Sequence, residues 1–156
     1  METSKNLTVL HCIFYIYHTF AFSSDGNLTP EEKKTISNFM YRWVGKDQEK
    51  MTKIITETLM WSKSNIKSIN DQIGAMISMV DFLKTQTDFS IDRREYFLMD
   101  IRNIARSDGN FLDQQKKWHD MLANTLELNI RISQASHEDI NGAVKKVEKR
   151  KIGFRR

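Results

Sequence analysis

The sixteen residues LTVLHCIFYIYHTFAF, Leu7 to Phe22, are apolar almost without interruption. They fall short of the ~20 that a membrane-spanning helix needs, and His11 and His18 break them. METSKN before them sets one lysine against one glutamate, and no A-x-A pattern follows, so a secretory leader is not expected. Their aromatic and β-branched residues would suit a strand, but the length favours a helix that is apolar nearly all round. Such a helix needs cover on every side. The segment therefore reads as the central buried helix, and the remaining chain as its cover.

That remainder is written in helical period. Ile36, Phe39, Met40, Trp43 and Val44 follow i, i+3, i+4, i+7, i+8, and Met51, Ile54, Ile55, Thr58 and Leu59 repeat the template. Ile73, Met76, Ile77, Val80, Phe82 and Leu83 predict a fourth helix. Phe97, Ile101, Ile104 and Ala105 predict a fifth, and Trp118, Met121, Leu122 and Leu126 a sixth. A seventh, more polar helix is expected from about Ser136. One proline and six glycines are too few for the many turns of a sandwich or barrel. The expected fold is all-α: a single compact bundle of six to seven helices over residues 1–135, followed by a basic helix or tail at 136–156.

Two breaks between these helices share a sequence. SSDGNLTPEEKKTI begins at Ser23 and RSDGNFLDQQKKWH at Arg106, so a shift of 83 residues superposes Ser-Asp-Gly-Asn on itself and Lys-Lys on Lys-Lys. This predicts a doubled helix–turn–helix unit. In the first copy Gly26 can end a helix in the left-handed conformation. Thr29 is the N-cap, Pro30 occupies the first helical position, and Glu32 completes a capping box. In the second copy Leu112 replaces Thr29 and Gln115 replaces Glu32. The box is lost, and Asn110 or Asp113 must cap a shifted start.

Capping accounts for each of these residues without a ligand. The competing reading is a hard-cation site. A calcium-binding EF-hand loop aligns on Gly26, Leu28 and Glu32, but Ala21 stands where its leading Asp is required, and Gln115 fills its last ligand position in the second copy. A looser site would pool oxygen ligands from Asp25, Glu32, Asp108 and Asp113 if the two turns approach each other. Calcium or magnesium suits such oxygens better than zinc.

Helical chains with D-G-x-hydrophobic-[S/T]-x-x-E between two helices, and a second D-G turn before a later helix, are typical of the TerB-like superfamily. This chain resembles that family from Leu7 to about Leu128, most sharply at SSDGNLTPEE, with ARSDGN as the second turn. The resemblance implies a compact bacterial helical module tied to tellurite resistance and stress response. Such a module is cytoplasmic, has no established enzymatic activity, and carries candidate metal ligands at Asp25, Glu32 and Asp108. Gln115 departs from the glutamate often found in the second turn. The implied mode of action is contact with a protein partner.

Other chemistry finds less support. His11, Tyr15 and His18 share one helix face, a spacing that could offer two imidazoles to a transition metal, but that helix supplies no carboxylate. Buried, hydrogen-bonded histidines are the commoner outcome. Cys12, the lone cysteine, reads as a small buried hydrophobe and excludes an intramolecular disulfide. His119 beside Asp120 reads as part of a solvated face. No G-x-S-x-G, phosphate loop, dinucleotide fingerprint or H-E-x-x-H occurs, so an enzyme is not expected.

Of the formal charge of +4, the last sixteen residues hold +6, which leaves −2 for the body. Lys145, Lys146, Lys149, Arg150, Lys151, Arg155 and Arg156 could meet phosphates of nucleic acid or of an anionic membrane surface, including the inner face of a bacterial membrane. The blander reading, a frayed and solvated terminus, is preferred.

Overall fold

A computed structural model describes the chain over residues 7–22, 30–106, 113–130, 132 and 152–155. Six helices are formed there: α1 (Val9–Phe22), α2 (Pro30–Val44), α3 (Gln48–Asn65), α4 (Ile69–Lys84), α5 (Ile91–Arg106) and α6 (Asp113–Thr125). Among the described residues there is no strand, only one isolated parallel bridge between Leu7 and Phe154. The all-α expectation holds. The region from Ser136, where a seventh helix is expected, lies outside the described residues.

α1 is the central helix. It packs against α2, α3, α4 and α5, and Cys12, Ile13, Ile16, Tyr17, Phe20 and Ala21 are wholly buried. Its start is built in an unusual way. Thr8 precedes the first turn, and its backbone N–H donates to Nδ1 of His11 at 3.0 Å. A side chain at the third helical position thus reaches back to the cap residue, as the glutamate of a capping box does.

The other boundaries follow local chemistry. Gly45 ends α2 at φ 87°, in the left-handed region that glycine enters without a Cβ penalty. Asp47 caps α3 by accepting from the Lys50 N–H at 3.1 Å. Ser68 caps α4 through the Asp71 N–H, so that helix begins before the apolar repeat that starts at Ile73. Pro30 opens α2 at the first helical position, as expected.

Burial follows the apolar period with exceptions. Leu59, placed on the buried face of α3 by its spacing, is 41% exposed because that helix turns its inner face toward α1 through Met51, Ile54 and Thr58. In α6 the residues Trp118 to Ala123 are buried in unbroken succession. α4 and α5 pack on that helix, and Leu126 and Leu128 fold back onto the core beyond its end.

Residues 152–155 return to the body and are not frayed, although Gly153 and Arg155 stay exposed to solvent. Leu7 donates its N–H to the Gly153 carbonyl at 2.8 Å, and Arg155 donates to the Leu7 carbonyl at 2.9 Å. The Phe154 ring stacks on Phe82 with centroids 4.4 Å apart and planes within 7°. An aromatic side chain with a ready apolar partner is better buried than solvated.

Candidate functional site

The elements that flank the two acid-glycine turns meet. Gln115, in the first turn of α6, is buried and donates its Nε2 hydrogen to the Phe20 carbonyl at 2.6 Å, near the C-terminal end of α1. The Phe20 ring meets Trp118 of α6 edge-on, with centroids 6.1 Å apart. Gln115 is therefore a positioning residue. Its amide supplies the hydrogen that a helix-terminal carbonyl needs, and a carboxylate could not.

Of the candidate cation ligands, Asp113 is described: it opens α6 with its side chain almost wholly exposed, 4.0 Å from Lys116 Nζ. Asp25 and Asp108 lie outside the described residues, as does the side chain of Glu32. Among the described residues no group of three His, Cys, Asp or Glu side chains is placed to hold a metal ion.

The histidines of α1 are committed elsewhere. Because the Thr8 N–H donates to Nδ1 of His11, Nε2 carries the hydrogen and points at Glu57 Oε1, 2.9 Å away. Tyr15 meets Trp61 edge-on at 5.6 Å. His18 lies against Phe14 at 5.7 Å, and its burial holds the imidazole below its ordinary pKa. Cys12 is fully buried, and desolvation raises its thiol far above the usual range, so it has no thiolate for chemistry.

Two polar clusters inside the bundle went unread in the sequence. In the first, Asp100 accepts from the Tyr17 hydroxyl at 2.6 Å and from the Arg42 guanidinium at 2.5 Å, while Trp43 Nε1–H donates to the Tyr17 oxygen at 2.9 Å. Burial raises Asp100 above its ordinary carboxyl range, against the downward pull of Tyr17 and Arg42. Burial, then the Asp100 charge, raises the Tyr17 phenol well above its usual range.

The second cluster corrects the reading of His119 and Asp120 as a solvated face. Both are completely buried, and His119 Nδ1 lies 2.9 Å from Asp120 Oδ1. Arg102 reaches His119 Nε2 at 2.9 Å, and the Ile132 N–H donates to the same Asp120 oxygen at 2.9 Å. Arginine has only hydrogens to give, so Nε2 accepts and Nδ1–H donates to Asp120. The buried His119 and Asp120 stay together with the partly buried Arg102 because each satisfies the next, while Ile132 is pinned over α6. A signal was present in HD followed by an apolar run, but neighbouring helix residues rarely meet.

Two open hollows lie on the outside. One, of about 490 Å³, runs along α3 between Gln48 and Glu57. The other, of about 480 Å³, lies beside α5 and is lined by Asp92, Glu95, Tyr96, Met99, Arg102 and Ile130. Neither polar cluster opens into the α3 hollow, and only Arg102 reaches the α5 one. Among the described residues no helix is long and apolar enough to cross a membrane. Of the seven basic tail residues only Arg155 is described, and it is exposed.

No family model, no curated protein and no solved structure matches this chain.

Proposed function

We propose that this chain is a TerB-like binding module without enzymatic activity, which serves a stress response through protein contacts and holds a divalent cation, calcium or magnesium, between its two acid-glycine turns. Asp25, Glu32, Asp108 and Asp113 supply the oxygens. The observation that carries this reading is the Gln115–Phe20 hydrogen bond, which joins the helix after the second turn to the helix before the first. A further relationship supports the doubled unit. The shift of 83 residues carries Pro30 onto Asp113, the first residues of α2 and α6, and Tyr17 onto Asp100, which are hydrogen-bonded. Equivalent positions meet in this way at the axis between two related halves.

The ionisable groups of the interior favour binding over catalysis. Asp100 is spent on Tyr17 and Arg42, and His119 and Asp120 on each other and on Arg102. A catalytic group needs access to a substrate, and these have partners in its place.

Isothermal titration of the full chain with Ca²⁺ and Mg²⁺ at pH 7 tests the cation. The expected result is one site, lost in Asp25→Asn and in Asp108→Asn. No heat beyond dilution from either ion would end this reading.

A further inference from the structure

Asp100, Tyr17 and Trp43 form a row that leads from the core toward the surface. The Tyr17 ring is fully buried, with Phe97 stacked on it at 5.5 Å and Phe39 edge-on at 6.3 Å. Its hydroxyl donates to Asp100 Oδ2 at 2.6 Å and accepts from Trp43 Nε1–H at 2.9 Å. Trp43 is half-buried, and the exposed Arg93 holds its guanidinium carbon 5.6 Å from the indole ring centre. A buried phenol needs an acceptor, and a backbone carbonyl would serve it. A carboxylate taken out of water is the costlier choice. What it adds is the capacity to take the hydrogen as a proton.

We propose that Tyr17 is a reversible one-electron donor to small oxidising radicals, with Trp43 as the point of entry and Asp100 as the proton acceptor. The radical, X•, takes an electron from the half-buried indole and leaves as the anion X⁻. Tyr17 refills the indole across the 2.9 Å contact, and its phenolic proton passes to Asp100 Oδ2. In sum, Tyr17–OH, Asp100–COO⁻ and X• become Tyr17–O•, Asp100–COOH and X⁻, so atoms and charge balance. A small thiolate then gives back one electron and becomes a thiyl radical, while Asp100 returns the proton to Tyr17.

The neighbours favour this direction. A proton acceptor must lie within hydrogen-bond reach, about 2.6–3.2 Å, and Asp100 does. Burial lifts its carboxyl above the ordinary range, which makes it the better base. The Arg93 charge disfavours a positive hole on Trp43 and so drives the oxidation inward. The Phe39 and Phe97 rings fence the phenoxyl off from a second one. Arg42 pulls the other way: it favours the Asp100 anion, and so helps the proton back when the electron returns. Only an electron crosses the bundle, so no small molecule has to reach the buried groups. This inference stands apart from the cation reading, with which it shares no residue.

Pulse radiolysis of the full chain at pH 7, with the azide radical as X•, is the test. A tryptophanyl signal should decay as a long-lived tyrosyl signal grows. Tyr17→Phe should remove that tyrosyl signal, whereas Tyr96→Phe, at an exposed tyrosine, should leave it unchanged. Trp43→Phe should remove the fast phase of its growth. Asp100→Asn keeps an acceptor oxygen but takes no proton, and should slow the growth about a hundredfold in protein that circular dichroism shows to be folded. Wild type itself should react more slowly in heavy water, because a deuteron then moves with the electron. An equal tyrosyl signal in wild type and Tyr17→Phe would overturn the inference. So would folded Asp100→Asn that reacts at the wild-type rate, or a wild-type rate that heavy water leaves unchanged.

Discussion

Tyr17 of α1 and Asp100 of α5 are joined by a hydrogen bond of 2.6 Å inside the bundle, and Arg42 of α2 closes on the other carboxylate oxygen. Three helices thus share one buried charge, which ties their axial register together. Asp100→Ala would leave a buried hydroxyl without its acceptor and remove the anion from Arg42. Because Arg42 is half exposed, its share of the loss is modest, since water can replace the carboxylate. The expected destabilisation is about 2–3 kcal/mol, mostly from the Tyr17 side. Asp100→Asn retains one acceptor and should cost about half as much. Urea unfolding followed by circular dichroism measures both, and equal costs for the two would contradict this division.

The same bond makes stability depend on alkaline pH. Tyr17 has its pKa raised by burial and by the Asp100 charge, so the folded state keeps the phenolic proton at pH values where the unfolded chain loses it. A raised folded pKa favours folding only while both states are protonated. Stability should therefore decline as pH climbs above about 10, the unfolded value. Tyr17→Phe should flatten that decline. Tyrosinate absorbance recorded during a pH ramp will show whether one of the four tyrosines titrates only as the helical signal is lost.

Gln115 predicts an asymmetry between two conservative changes. Gln115→Glu keeps the shape but exchanges the donor for an anion facing the Phe20 carbonyl, in a position without solvent. Gln115→Ala merely takes this donor away from the Phe20 carbonyl. Glutamate should be the worse substitution at pH 7, by about 1–2 kcal/mol, and should recover on acidification as the carboxyl gains a hydrogen to donate. Thermal melts of both variants at pH 7 and pH 4.5 test this. A glutamate variant that is no less stable than alanine at pH 7 would mean that Gln115 does not hold α1.

How legible the molecule is from sequence differs by scale. The central helix, the six helical segments and Pro30 at its first position follow from apolar period and cap chemistry, both local. The polar interior does not. Asp100 sits in a helix rich in charge, and nothing near it in sequence announces Tyr17, 83 residues away, or Arg42. His119 and Asp120 look like solvent residues because burial there depends on α4 and α5 packing from elsewhere in the chain. His11 suggests a metal ligand by spacing, yet its partners are the cap residue beside it and a glutamate of α3. The acid-glycine repeat is legible as 23–36 against 106–119, and the helices that flank its two turns meet at Phe20 and Gln115.

The return of the C-terminal residues to the body carries the last prediction. Phe154 stacks on Phe82 at the side of α4, and two backbone hydrogen bonds clamp Gly153 and Arg155 about Leu7. The start of α1 and the end of the chain thus stabilise each other. Removal of residues 152–156 takes away the ring, exposes part of the Phe82 face and leaves the Leu7 N–H and carbonyl to water. Because Phe154 is only partly buried, the loss should be below that of a core phenylalanine, about 1–3 kcal/mol. Phe154→Ala should account for most of it, since exposed backbone groups recover hydrogen bonds from solvent. Phe154→Leu, which keeps apolar contact but not the stack, should fall between. Chemical denaturation of the three variants will order them. If truncation and Phe154→Ala both leave the midpoint unchanged, the stack of Phe154 on Phe82 does not contribute to stability.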